Sequence, residues 1–247
     1  MTDGIVEELS GPRTSPTTLA RIGGVLYLLI ILGGAFGEAF IRGRLIVPDD
    51  ARATAERILA NEGLWRIGIA SEIIMLVCTV ALALILYVLL RPVNRDLALL
   101  AVFFNLTSIA IEATNELQLL LTLLPLTDAG LTGAFDRAQI DALSYLTATS
   151  YGYGFGVGLI FFGVECLILG VLISRSGYLP RAIGVLMLIA GACYLINMFA
   201  VILSPRLAAF LFPIGMLPAL LGEGALCLWL LVKGVDESKW RARASAA

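Results

Sequence analysis

The sequence predicts an all-α, polytopic integral membrane protein, a six transmembrane helix bundle with both termini cytoplasmic. Three observations carry that prediction. Hydrophobic residues make up 59% of the 247, and mean hydropathy is +0.93, whereas soluble domains run at roughly 45–50% apolar. Six apolar stretches each reach the roughly 20 residues a helix needs to cross the hydrocarbon core. Ten of the 17 basic residues fall on the side of the termini and even-numbered connections, the bias that marks a cytoplasmic face.

Residues 1–18 form a polar, acidic tail (Asp3, Glu7, Glu8) without the basic start, short apolar core and small-residue cleavage site of a signal peptide. The first apolar stretch is therefore expected to stay as a span. The spans are Leu19–Ile41, Trp65–Leu90, Leu97–Leu124, Gly152–Ser174, Ile183–Leu203 and Ala209–Val232, within one membrane domain, residues 19–234. In the first outer loop, Pro48, Asp49 and Asp50 offer an N-cap to an interfacial helix over residues 49–62. The third loop turns at Asp128, Gly130 and Gly133, and a second interfacial helix is expected over 139–150. Residues 235–247 are a C-terminal tail.

Composition excludes several chemistries. The net charge is −2 and there is no histidine, so no basic footprint calls for nucleic acid and no His-ligated metal, haem or Ser-His nucleophile can form. Both lysines lie at or beyond the end of span six, which removes a Ser-Lys dyad or a Schiff base within the spans. Cys78, Cys166, Cys193 and Cys227 sit in four different spans, the pattern of small apolar packing residues and not of a disulfide framework. Nothing identifies a cofactor or a metal, and the balance leans away from an enzyme.

The polar residues inside the spans are the functional clue. Hydrocarbon penalises an ionised carboxylate, and intramembrane acids mark functional sites by default. Counted at 1.5 Å per residue from the basic anchor of each span, Glu165, Glu223 and Asn105 fall roughly 15 Å from the cytoplasmic interface, near the midplane. Glu38, Glu112 and Asn197 fall roughly 24–26 Å from it, with Glu72 and Glu116 slightly further out. On span three, Asn105, Ser108, Glu112, Asn115 and Glu116 lie within one arc of roughly 100°. Tyr194 and Asn197 share a face of span five. No lysine or arginine lies among these acids in the sequence; only Arg42 and Arg66 stand close enough to reach the outer layer.

Gly152, Gly154, Gly156 and Gly158 open span four, and Gly33 and Gly37 sit in span one. Small residues spaced by four favour close helix packing, within the chain or between copies in a homo-oligomer. Pro213 and Pro218 are expected to kink span six, and Gly222 and Gly224 flank Glu223.

Several stretches resemble a bacterial membrane family known as a domain of unknown function, DUF4386: residues 20–27, 37–42, 86–93, 161–170, 175–181 and 222–234. The resemblance implies a six-helix protein of the bacterial cytoplasmic (inner) membrane, and brings no activity, cofactor or catalytic residue.

The first functional expectation is an outward-facing, carboxylate-lined cavity within the bundle that binds a cation, an amine or protons, in a small transporter or sensor. Its candidate residues are Glu38, Glu72, Glu112, Glu116, Asn115, Asn197, Tyr194, Glu165 and Glu223. The alternatives are an intramembrane enzyme acting on a lipid or isoprenoid through a carboxylate-bound divalent metal, and a structural or assembly subunit whose carboxyls are hydrogen-bonding glue. The bilayer is the expected partner in every case.

Overall fold

The structure, a computed structural model, describes residues 15–246. It contains helices and no strand among those residues. Helix α1, Pro16–Phe36, starts at Ser15, whose hydroxyl accepts from the Thr18 amide at 3.2 Å. It continues through a π-helical turn, Gly37–Arg42, and a last turn, Gly43–Leu45. Helix α2, Ala51–Ala60, is the expected loop helix, capped by Asp50, which accepts from the Ala53 amide at 2.8 Å. Helices α3, Glu62–Leu90, and α4, Arg95–Thr127, follow, then the short α5, Ala129–Ala134. Helix α6, Arg137–Ser176, opens on a capping box of Asp136 and Gln139 and closes at Gly177, whose φ of 77° only glycine adopts without strain. Helices α7, Arg181–Leu203, α8, Pro205–Val232, and α9, Glu237–Ala244, complete the chain.

Six helices are long and apolar enough to span a membrane. The protein is a multi-pass, all-helical membrane bundle, and leucines and phenylalanines such as Leu32, Phe103, Leu203 and Leu228 cover its outside, as a lipid-facing surface requires. The observed spans overrun the sequence expectation at most ends because polar caps extend helices beyond the apolar stretch. Span four differs most. Residues 139–150 form no element of their own but are the outer part of α6, a helix of 40 residues. At 1.5 Å per residue it is about 60 Å long, twice the hydrocarbon thickness. The tail also contains α9, which the sequence reading left without structure; residues 1–14 of the polar N-terminal tail lie outside the described residues.

The spans form a closed ring in chain order. Each packs on the next, α1 on α3, α3 on α4, α4 on α6, α6 on α7, α7 on α8, and α8 returns to α1. The bundle has a basic end, at Arg91, Arg175 and Lys233, and a loop end, covered by α2. Ile58 and Ala55 of α2 are fully buried with Leu45, Trp65 and Leu123. The Trp65 indole donates to the Leu119 carbonyl at 2.9 Å, so this large ring is buried with its one polar atom satisfied. At the basic end, the Leu89 carbonyl accepts from the Tyr178 hydroxyl at 2.6 Å and the Trp240 indole at 2.9 Å. That carbonyl belongs to the last turn of α3, where no backbone donor is available. Thr17, in the first turn of α1, donates to the Val235 carbonyl at 3.1 Å and so fastens the start of the ring to the tail.

Candidate functional site

Within the ring, polar side chains from all six spans make four linked or neighbouring groups. The outermost centres on Glu72 of α3, which is 2% exposed. The Arg42 guanidinium pairs with Glu72 and with Glu38, the latter at 3.0 Å. The same guanidinium lies 4.5 Å from the centroid of the Tyr151 ring, a cation–π contact. Tyr151 Oη stands 2.8 Å from Glu72 Oε2 and 3.2 Å from Glu116 Oε1. Glu116 Oε2 is buried without a partner.

Three further groups lie toward the basic end. Ser108 Oγ of α4 is 2.9 Å from Glu112 Oε1 and 2.8 Å from the Gly158 carbonyl of α6. Asn105 donates to Glu165 Oε2 at 2.7 Å, joining α4 to α6. Glu223 of α8 accepts from the Tyr27 hydroxyl at 3.2 Å on one oxygen and from the Tyr194 hydroxyl on the other. Beside Glu165 is a cavity of about 10 Å³ walled by Leu86, Ala101 and Leu169 among others, space for about one water molecule.

Hydrogen counting gives this arrangement its chemistry. A hydroxyl has one hydrogen, yet the Tyr151 oxygen lies between two carboxyls and the Ser108 oxygen between a carboxyl and a carbonyl. In each case the second contact becomes a hydrogen bond only when a carboxyl supplies the missing proton, Glu116 or Glu72 in the first and Glu112 in the second. Glu223 is the converse. Two phenol donors meet its two oxygens, an arrangement that matches the ionised form.

The remaining predicted residues stand apart from these carboxyls. Asn115 donates to the Tyr151 carbonyl and Asn197 to the Cys193 carbonyl, both at 2.8 Å; Asn197 Oδ1 has no partner. Glu38 does not enter the interior. Its side chain is 74% exposed and reaches the network only through Arg42. The reading that no cation stands among the acids is corrected by Arg42, 11% exposed in its side chain. Arg66 stays outside, paired with Glu62 at 2.8 Å.

Glycines receive these polar groups. A Cβ on Gly37 would overlap the Glu72 carboxylate, one on Gly154 the Asn115 amide, one on Gly215 the Asn197 amide, and one on Gly158 would come within 2.9 Å of Glu112. Gly33 faces Met75 of α3. Most of these glycines thus serve packing inside one chain.

The sequence reading took Tyr194 from its spacing to Asn197 and missed Tyr27 and Tyr151. Their signal was the phenol itself, which seeks a partner when buried. Among the described residues no three cysteines, aspartates or glutamates converge as a metal-ligand set.

Comparison with known proteins is consistent with this architecture. A protein of Archaeoglobus fulgidus described as uncharacterized is 27% identical over 167 residues, which cover 68% of this chain and 83% of that protein. No solved structure matches. A family described as a domain of unknown function, DUF4386, matches residues 22–234. That match runs from the second turn of α1 to the second residue after α8 and takes in all but the start of the ring of spans, so the chain belongs to the DUF4386 family.

Proposed function

We propose that this membrane protein binds protons on its internal carboxyls and works as a small proton-coupled transporter or a proton sensor of the bacterial inner membrane, with the basic end cytoplasmic. The observation that carries the reading is the pair of single-hydrogen hydroxyls, Tyr151 and Ser108, each held between two acceptors. Each contact set has a place for one more proton, and the neighbouring carboxyl is the group able to hold it. The water-sized cavity at Glu165 supports protons over an amine, which needs more room. The exposed Glu38, tied through Arg42 to Glu72, supports access from the loop end. The divalent-metal enzyme reading lacks a donor set among the described residues.

Infrared spectroscopy of the reconstituted protein tests the proposal, because an un-ionised carboxyl has a carbonyl stretch distinct from that of a carboxylate. Between about pH 6 and about pH 9, a range in which free glutamates stay almost wholly ionised, we expect a carboxylic-acid band that grows on acidification. It should diminish in Glu116→Gln and in Glu112→Gln. Absence of any such band at low pH would refute the reading. A band that never titrates would favour the structural subunit instead, whose supporting observation is that Glu72, Glu165 and Glu223 already have partners within the bundle. Vesicle acidification measured with an internal pH dye then separates transport from sensing.

A further inference from the structure

A second cavity lies at the basic end, far along the bundle from the Arg42 group. It has a volume of about 390 Å³ and is open to the surface. Its walls come from the turn after α6 (Tyr178, Pro180), the end of α8 (Trp229, Lys233) and the start of α9 (Asp236, Lys239). The two turns hold their shape through glycines in the left-handed region, Gly177 at φ 77° and Gly234 at φ 70°.

The charges in this groove are unequal. Asp236 is fully engaged. One oxygen accepts from the Lys239 amide at 3.2 Å and the Ser238 hydroxyl at 2.6 Å, and the other pairs with the Lys239 ammonium at 3.0 Å. Those hydrogen bonds hold its carboxyl down at about 2, so it stays ionised and committed to capping α9. Lys233 is exposed and makes no ion pair among the described residues. Pro180, the N-cap of α7, also lines the groove and provides no side-chain acceptor. Below the groove, Leu228 and Val232 of α8 are exposed on the lipid-facing surface, 58% and 61% respectively. Trp229 and Lys233, which line the groove, follow Leu228 and Val232 directly in the chain, and the half-buried Trp229 is the kind of residue that marks the border of hydrocarbon and headgroups.

We propose that this groove holds the phosphate of an anionic phospholipid headgroup, with Lys233 as its cationic partner and the acyl chains lying along Leu228 and Val232. Basic pockets between spans at the headgroup level bind such lipids. A free phosphate offers the same charge, but it has no acyl chain to use the apolar surface that continues from the groove. The assignment is independent of the proton reading, since no carboxyl of that network lines the groove.

Thermal unfolding of the purified full chain in a neutral detergent tests it. Dioleoyl phosphatidylglycerol should raise the unfolding midpoint more than dioleoyl phosphatidylcholine at equal concentration. Lys233→Gln should remove more than half of that difference, while Arg91→Gln, a charge at the same end outside the groove, should leave it intact. Lys233 is exposed, so its loss should not impair folding; the midpoint without lipid checks this. Equal stabilisation by both lipids, an unchanged preference in Lys233→Gln, or equal loss in both variants would each overturn the proposal. Stabilisation by inorganic phosphate alone, equal to that by phosphatidylglycerol, would assign the groove to a soluble phosphate and overturn the lipid assignment.

Discussion

Arg42 and Glu72, separated by 30 positions in the chain, form an ion pair inside the bundle, and a π-helical turn brings the arginine to it. In Gly37–Arg42 the backbone takes one residue more per turn, and the Gly43 amide donates to the Glu38 carbonyl across that turn. The extra residue rotates everything after Phe36 against the α-helical phase, and such single turns recur at functional sites. Gly37, with no side chain, lies where the Glu72 carboxylate needs space.

Removing one partner of this pair should be costly, because the other charge stays buried. Arg42→Gln should lower the unfolding free energy by about 3–5 kcal/mol. Glu72→Gln should cost less, since Arg42 keeps Glu38 and the Tyr151 ring. The double variant should recover part of the Arg42→Gln loss. Denaturant unfolding in mixed micelles measures all three, and an additive double variant would show that the two side chains do not interact.

The glycines should divide by what stands opposite each. Gly37→Ala and Gly154→Ala push a methyl group into Glu72 and Asn115, and overpacking of this kind costs about 1–3 kcal/mol. Gly152→Ala meets nothing within 4 Å and should stabilise α6 by up to about 1 kcal/mol through helix propensity alone. Thermal midpoints of the three variants in one detergent decide the matter; equal effects would mean that the receptacles are not selective.

The two phenols on Glu223 should reveal its charge. A hydrogen bond to an ionised group contributes about 1.5–3 kcal/mol, against about 0.5–1.5 for a neutral one. Tyr27→Phe should therefore destabilise the wild-type chain more than it destabilises a Glu223→Gln background. Equal losses in the two backgrounds, measured by unfolding at neutral pH, would mean that Glu223 is not a carboxylate in the folded protein.

Much of this was readable from residue order, and the failures have physical causes. Hydropathy placed all six spans, because the hydrocarbon thickness leaves little choice of length. Counting depth from the basic anchors put Asn105 level with Glu165, and the two are hydrogen-bonded at 2.7 Å. Depth also grouped Glu72 with Glu116, which share Tyr151. Helix phase was the weaker guide. It held on α4, a regular helix, whose Asn105, Ser108, Asn115 and Glu116 are all buried. Depth alone put Glu38 in the interior, whereas the π-turn beyond Phe36 leaves Glu38 exposed and turns Arg42 inward. The glycines of α6 read as a packing stripe, since a glycine carries no record of the polar side chain on the next helix that fills its place.

The hydrogen bond from Thr17 to the Val235 carbonyl joins the two margins of the membrane domain. Because α8 also returns to α1, the order of spans is cyclic and has no privileged starting helix. A circularly permuted gene, with these margins joined by a short linker and new ends cut at the exposed Phe135 between α5 and α6, should encode the same bundle. Such a permutant would put both new ends on the opposite membrane face while leaving every carboxyl group in its original neighbourhood.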